Sequence, residues 1–219
     1  MPADPHEAQN KHAGIRTLRR YHEGTIAFNE RRSPSMFIAE AATGAIVLPA
    51  EAGMTRAEEL TLYAPEESAW VMQIALVPVL IERPESEEAV DRWAAYHGRS
   101  ASKSWIRCSI DGAKTESMVY GPEALMLPNA LGAAEFKLIK KLNADQEGLA
   151  RACRVHGPIE VADPVAVGVD PFGVDVRARF GIVRLEFPEG VEAKTVAQAD
   201  QSIAWLLGGN PAAQAGRAT

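Results

Sequence analysis

The chain has 219 residues, 47% of them hydrophobic and 24% charged, a globular composition that excludes wholesale disorder. Its formal net charge of −6 excludes a general nucleic-acid binder, because phosphate attraction supplies most non-specific affinity. The longest apolar run, residues 70–81, carries Gln73 and Pro78 and falls short of the roughly 20 residues that span a bilayer.

Residues 15–22 suit a short helix anchored by Leu18. Apolar runs at 25–28, 35–39 and 45–48, separated by polar, Gly and Pro residues, predict strands of a meander. Thr43-Gly44 suits the hairpin turn between the second and third of these. The runs 60–63 and 74–81 continue the series, and Pro78 points to an edge or a bulge. A helix follows over 86–98: Ser86 as its cap, Glu87 and Glu88 at the positive end of its dipole, Gly98 past its end. Val90, Trp93, Ala94 and His97 form its stripe. A sixth strand is expected at 105–110, continuing through a bulge towards Val119. Six short strands with one helix before the last predict a split β-barrel, since closure removes exposed sheet edges.

Residues 121–134, rich in Gly, Pro, Asn and Ala, read as a linker. The second unit opens with one helix striped by Leu138, Ile139, Leu142, Leu149 and Cys153. Strands follow at 165–170, 174–178 and 182–187, with a turn at Asp170-Pro171-Phe172-Gly173 and a last helix over 193–207. The expected fold class is α+β: a six-stranded split β-barrel over 14–125, then a small α-β-β-β-α domain over 135–207.

Phosphate-cradling glycine motifs are absent. Gly98-Arg99-Ser100-Ala101-Ser102, beside His97, lacks the second glycine of a nucleophile elbow and follows a helix instead of a strand. The histidines at 6, 12, 22, 97 and 156 form no i, i+4 metal pair. The two cysteines, Cys108 and Cys153, have neither zinc nor redox spacing and are expected as buried, inert thiols. The polar first 14 residues lack the apolar core of an export signal, so the expected compartment is the cytoplasm.

The alternation in Val174-Asp175-Val176-Arg177-Ala178-Arg179 sets both arginines on one sheet face. A turn centred on Phe180-Gly181 would bring Arg177 opposite Arg184 and Asp175 opposite Glu186. Like charges directly opposite are unfavourable. Either the three arginines meet a ligand carboxylate or phosphate, or Asp175 and Glu186 satisfy them diagonally on a solvated face. His97, at the end of the barrel helix, either ligates a haem iron or answers the helix dipole. His22, before the first strand, is a ligand or a cap; His156 reads as a C-terminal cap; Trp93 and Trp105 are expected in the core.

Three segments carry a family resemblance. Lys140-Lys141-Leu142-Asn143-Ala144-Asp145-Gln146, residues 167–179 (VGVDPFGVDVRAR) and Val183-Arg184-Leu185-Glu186-Phe187-Pro188 resemble the C-terminal domain of HugZ-type haem-utilisation proteins. In that family the domain follows a split barrel of the pyridoxamine-phosphate-oxidase kind that binds flavin mononucleotide (FMN) or haem. The resemblance implies a homodimer with its ligand cleft between subunits. It implies a haem-binding protein of haem utilisation, with or without haem degradation, in which His97 or His22 lies near iron. Arg177, Arg179 and Arg184 would then pair with propionates. An FMN-dependent oxidoreductase is the alternative, with Arg56 as the phosphate contact; a non-catalytic adaptor of tetrapyrrole metabolism is another. The family's His-Met-Asn-x-Asp-His pattern has Lys141 and Gln146 in its histidine positions here, with Asn143 and Asp145 retained.

Overall fold

The computed structural model describes residues 13–65, 71–157 and 159–208. The chain forms two compact units that divide between Pro128 and Asn129. The first holds β1 (Glu23–Phe28), β2 (Arg31–Met36), β3 (Ile38–Ala39), β4 (Ile46–Pro49), β5 (Leu60–Ala64), β6 (Met72–Leu80), β7 (Trp105–Lys114) and β8 (Val119–Tyr120). Helix α1 (Glu88–His97) lies between β6 and β7. Strands pair antiparallel in the order β2-β1-β5-β6-β7-β4-β3, with β8 on β7.

The order of pairing dictates the shape. The path starts at β2 and ends at β3, yet these strands are neighbours in the chain, with only Phe37 between them. Consecutive Cα atoms are about 3.8 Å apart, so both ends of the sheet must meet at this corner. The sheet therefore curls into a half-barrel. Its inner face is the alternate set Ile26 and Phe28 on β1, Leu60 and Leu62 on β5, Met72 and Ile74 on β6, all buried, as a period of two requires.

Among the described residues the sheet has eight strands where the apolar pattern marks six. The predicted second strand is two, broken at Phe37, and its first half runs back to Arg31. That half, Arg-Arg-Ser-Pro-Ser-Met, is largely exposed, so no buried alternation marks it. A two-residue turn forms it: Phe28 pairs with Arg31, and Asn29 and Glu30 both take positive φ, 46° and 63°, as a tight hairpin needs. Pro78 lies beyond the bulge at Ala75/Leu76, in the half of β6 that the β5 ladder does not reach. The residue before α1 is Glu87; Ser86 ends a short 3₁₀ turn and gives its hydroxyl to the Arg83 carbonyl. Gly98 does close the helix, at φ 84° with its N–H on the Ala94 carbonyl. The expected linker is ordered, with a helical turn at Pro122–Leu125 whose Leu125 is fully buried.

The second unit holds α2 (Gly132–Ala144), α3 (Gln146–His156), β9 (Val165–Asp170), β10 (Gly173–Ala178), β11 (Gly181–Glu186) and α4 (Val196–Leu206), with sheet order β11-β10-β9. The single helix expected at its start is broken at Asp145, whose carboxylate accepts the Gly148 N–H at 2.8 Å and caps α3. Thr195 and Gln198 form a capping box at α4. Leu138, Leu142, Leu149, Cys153, Val169, Val174, Leu185 and Ile203 share the core of this unit.

Strand β9 is an edge, and its outward backbone groups take side-chain partners from α2 and the residues before it. The Asn143 amide donates to the Ala166 carbonyl at 3.0 Å and accepts the Ala166 N–H at 2.8 Å. Buried Glu135 accepts the Val169 N–H, and buried Asn129 donates to the Val169 carbonyl. These side chains finish the edge that a further strand would otherwise take. Asn143→Ala should lower unfolding free energy by about 2 kcal/mol, because it leaves both Ala166 groups unpaired. Asn143→Asp, which can accept but not donate, should lose part of that amount. Urea denaturation measures both.

Candidate functional site

Helix α1 fastens the corner where the sheet ends meet. The Trp93 indole N–H donates to the Met36 carbonyl at 3.0 Å, and His97 Nε2 lies 3.1 Å from the Phe37 carbonyl. A carbonyl only accepts, so Nε2 carries the proton and the imidazole lone pair sits on Nδ1. On the other side the Phe37 N–H donates to the His22 carbonyl at 2.8 Å. Rings fill the space between: Trp93 lies 4.8 Å from His97 and 5.0 Å, edge to face, from Trp105. Tyr96 packs 4.9 Å from the His22 ring, and its hydroxyl accepts from Arg92 at 3.0 Å. Burial lowers the His97 pKa to about 4; the Phe37 bond opposes that shift and nearby His22 adds to it. His97 is therefore neutral at physiological pH.

A cavity of about 590 Å³ opens beside this corner, within the range of small-molecule pockets. The start of β1, the last three residues of β2, the stretch Pro49–Glu51, Pro65, Ser102 and Trp93 line it. It forms here because β2 and β4 are not laddered to one another, so the curled sheet leaves a slot at its seam. The ionisable lining side chains among the described residues are Glu23 and Glu51, and Glu51 accepts the Ser33 hydroxyl. Ser100 and Ser102 spend their hydroxyls on loop backbone, Ser100 Oγ on the Ser102 N–H and Ser102 Oγ on the Ser104 carbonyl, which is no nucleophile arrangement.

The sequence-predicted residues divide between the two units. His22 and His97 meet at the corner, both against Tyr96. Arg56 is exposed at the end of the 3₁₀ turn Met54–Arg56 and does not line the cavity. In the second unit the expected register fails. Ala178 pairs with Gly181, so the turn is Arg179-Phe180, and Arg184 stands opposite Asp175 instead of Arg177. Arg184 then bridges two carboxylates, Asp170 at 2.6 Å and Asp175 at 3.0 Å, with all three side chains only 5–6% exposed. Burial opposes its charge, but the two carboxylates more than offset that and raise its pKa. Gly173 makes room, since a Cβ there would meet the Leu185 carbonyl oxygen and the Arg184 guanidinium. Arg184 is thus neutralised from within and is not available to a propionate. Arg177 is half-buried and already engaged, and Arg179 is exposed at the turn.

The remaining candidates have structural duties. His156 packs against Trp205 with ring centroids 4.5 Å apart, and burial lowers its pKa. Lys141 pairs with Asp200, and Gln146 donates to the Asn143 carbonyl. Cys108 and Cys153 are free and buried, with the Cys108 thiol pushed up to about 12 by burial. Among the described residues no group of three or more His, Cys, Asp or Glu could hold a metal ion, and no helix is long and apolar enough to cross a membrane. Sequence reasoning missed Tyr96, although it follows Trp93 by one helical turn. It also missed Glu23 and Glu51, which fall at strand ends and carry no pattern.

No family model and no curated protein matches the chain. Among solved structures it is similar to a protein of unknown function from Agrobacterium tumefaciens, at 19% identity and a TM-score of 0.67, covering 94% of this chain and 97% of that one. That likeness shows a shared fold. It is also similar, at 19% identity and a TM-score of 0.36, to a heme binding protein from Mycobacterium smegmatis, covering 90% of this chain and 96% of that one.

Two outcomes follow from the buried ionisable groups. The unfolded His97 imidazole takes up a proton near pH 6.5, the folded one only near about 4. The unfolded chain thus binds more protons in that interval, and stability falls as pH drops from 6.5 towards 4, by on the order of 3 kcal/mol in total. His97→Gln, which keeps an N–H for Phe37, should lose less over the same range in urea titrations at stepped pH. Arg184→Met strands two buried carboxylates and should cost about 3–5 kcal/mol at pH 7. An unchanged urea midpoint would contradict the internal neutralisation.

Proposed function

We propose that the barrel unit is a binding module for a flat, mainly apolar small molecule held beside Trp93, and that this molecule is haem. The observation that carries the proposal is the cavity of about 590 Å³ walled by an indole, with a neutral imidazole behind that indole. Ligating histidines commonly give their second ring N–H to a carbonyl, which fixes tautomer and orientation. His97 has this arrangement towards Phe37, which leaves Nδ1 as its ligating atom; His22 is the second candidate. The tautomer of His97 suits an iron ligand, but neither His97 nor His22 lines the cavity. The guanidinium half of a haem site does not fit, since Arg184 is sealed by Asp170 and Asp175. Bound haem would supply a redox-active iron, and the protein's part is to seat and orient it.

FMN is not proposed, because its phosphate would face Glu23 and Glu51 with no basic lining side chain among the described residues. In this reading the chain is a diverged HugZ-type protein acting in the cytoplasm as a homodimer. Val77 and Val79, 50% and 63% exposed on β6, offer a second copy an apolar strip.

Titration of the full chain with hemin should give a sharp Soret band that saturates at one hemin per chain. His97→Gln should lose the sharp band. An unchanged spectrum in that variant would move the iron to His22, and broad absorbance alone in the unsubstituted protein would sink the haem assignment.

A further inference from the structure

We infer that Glu23 and Glu51 are specificity residues, which make the cavity favour a flat ligand whose inserted edge is cationic or neutral and hold an anionic edge outside. This rests on the binding reading above. Glu23 opens β1 directly opposite Met36, and Glu51 follows β4, so one carboxylate comes from each side of the seam. Glu51 is held in place by the Ser33 hydroxyl. No basic side chain among the described lining residues offsets them. Arg56, the basic residue of this unit expected as a phosphate contact, does not line the cavity. For haem, the consequence is an orientation: propionates at the mouth, the apolar side of the ring inward.

The test compares the full chain with Glu23→Gln/Glu51→Gln, two exposed substitutions that keep an acceptor for Ser33. Three iron porphyrins of different charge are titrated by tryptophan quenching and equilibrium dialysis: hemin with its two propionates, the hemin dimethyl ester, and the iron(III) complex of a tetracationic N-methylpyridinium porphyrin. Affinity should rise from hemin through the ester to the cationic ring. In the double variant hemin should bind about tenfold tighter at 0.01 M salt and about threefold tighter at 0.15 M, as expected for unit charges about 10 Å apart under Debye screening. The cationic porphyrin should weaken by a similar factor. Saturable binding that ignores both ligand charge and the substitutions would overturn the inference and leave the binding reading standing. No saturable binding by any porphyrin would overturn both.

Discussion

The half-barrel depends on two ring N–H groups, those of Trp93 and His97, meeting the carbonyls of Met36 and Phe37. These carbonyls lie where the chain leaves one edge of the sheet and enters the other, and there the ladder has no further strand to offer. Buried backbone acceptors must be paired, so a curled sheet with a seam needs donors from outside it. Helix α1 supplies them one turn apart, and its arrival at the seam also supplies a wall for the cavity. Fold and candidate site share one origin: the place where strand pairing runs out is both stitched and hollow.

The second unit meets the same requirement with other chemistry. Its edge strand is finished by amide and carboxylate side chains, Asn143 and Glu135, in place of another strand. Its buried guanidinium is balanced by Asp170 and Asp175 from two neighbouring strands. Exchanging such a group for apolar residues need not cost stability, whereas removing one member does. Arg184, one of the three arginines that suggest a ligand in the sequence, thus ties three strands together.

How much the sequence discloses follows from what each element buries. Runs such as Leu60–Ala64 and Val165–Asp170 alternate or fill with apolar residues because their faces are covered, and they are legible. Strand β2 is not, since Arg31–Met36 owes its conformation to the hairpin with β1 and shows polar side chains to solvent. The break at Asp145 was readable in its residue type but was hidden by an apolar stripe running through it. The partnership of Arg184 was out of reach for a different reason: moving the turn by one residue changes every facing pair, and Asp170 arrives from a strand that local alternation cannot align. Trp93 and His97 were legible as a stripe. That both spend their N–H groups on one corner is a long-range fact, visible only once β2 and β3 are known to be opposite edges.

The ionisation state of His97 tests the stitched seam most directly. Long-range proton–nitrogen correlation spectra of the imidazoles, recorded from pH 7.5 to 4.5, report both tautomer and protonation. The account requires His97 to remain neutral with its proton on Nε2 at pH 5.5. A proton on Nδ1, or a titration midpoint near 6.5, would contradict it.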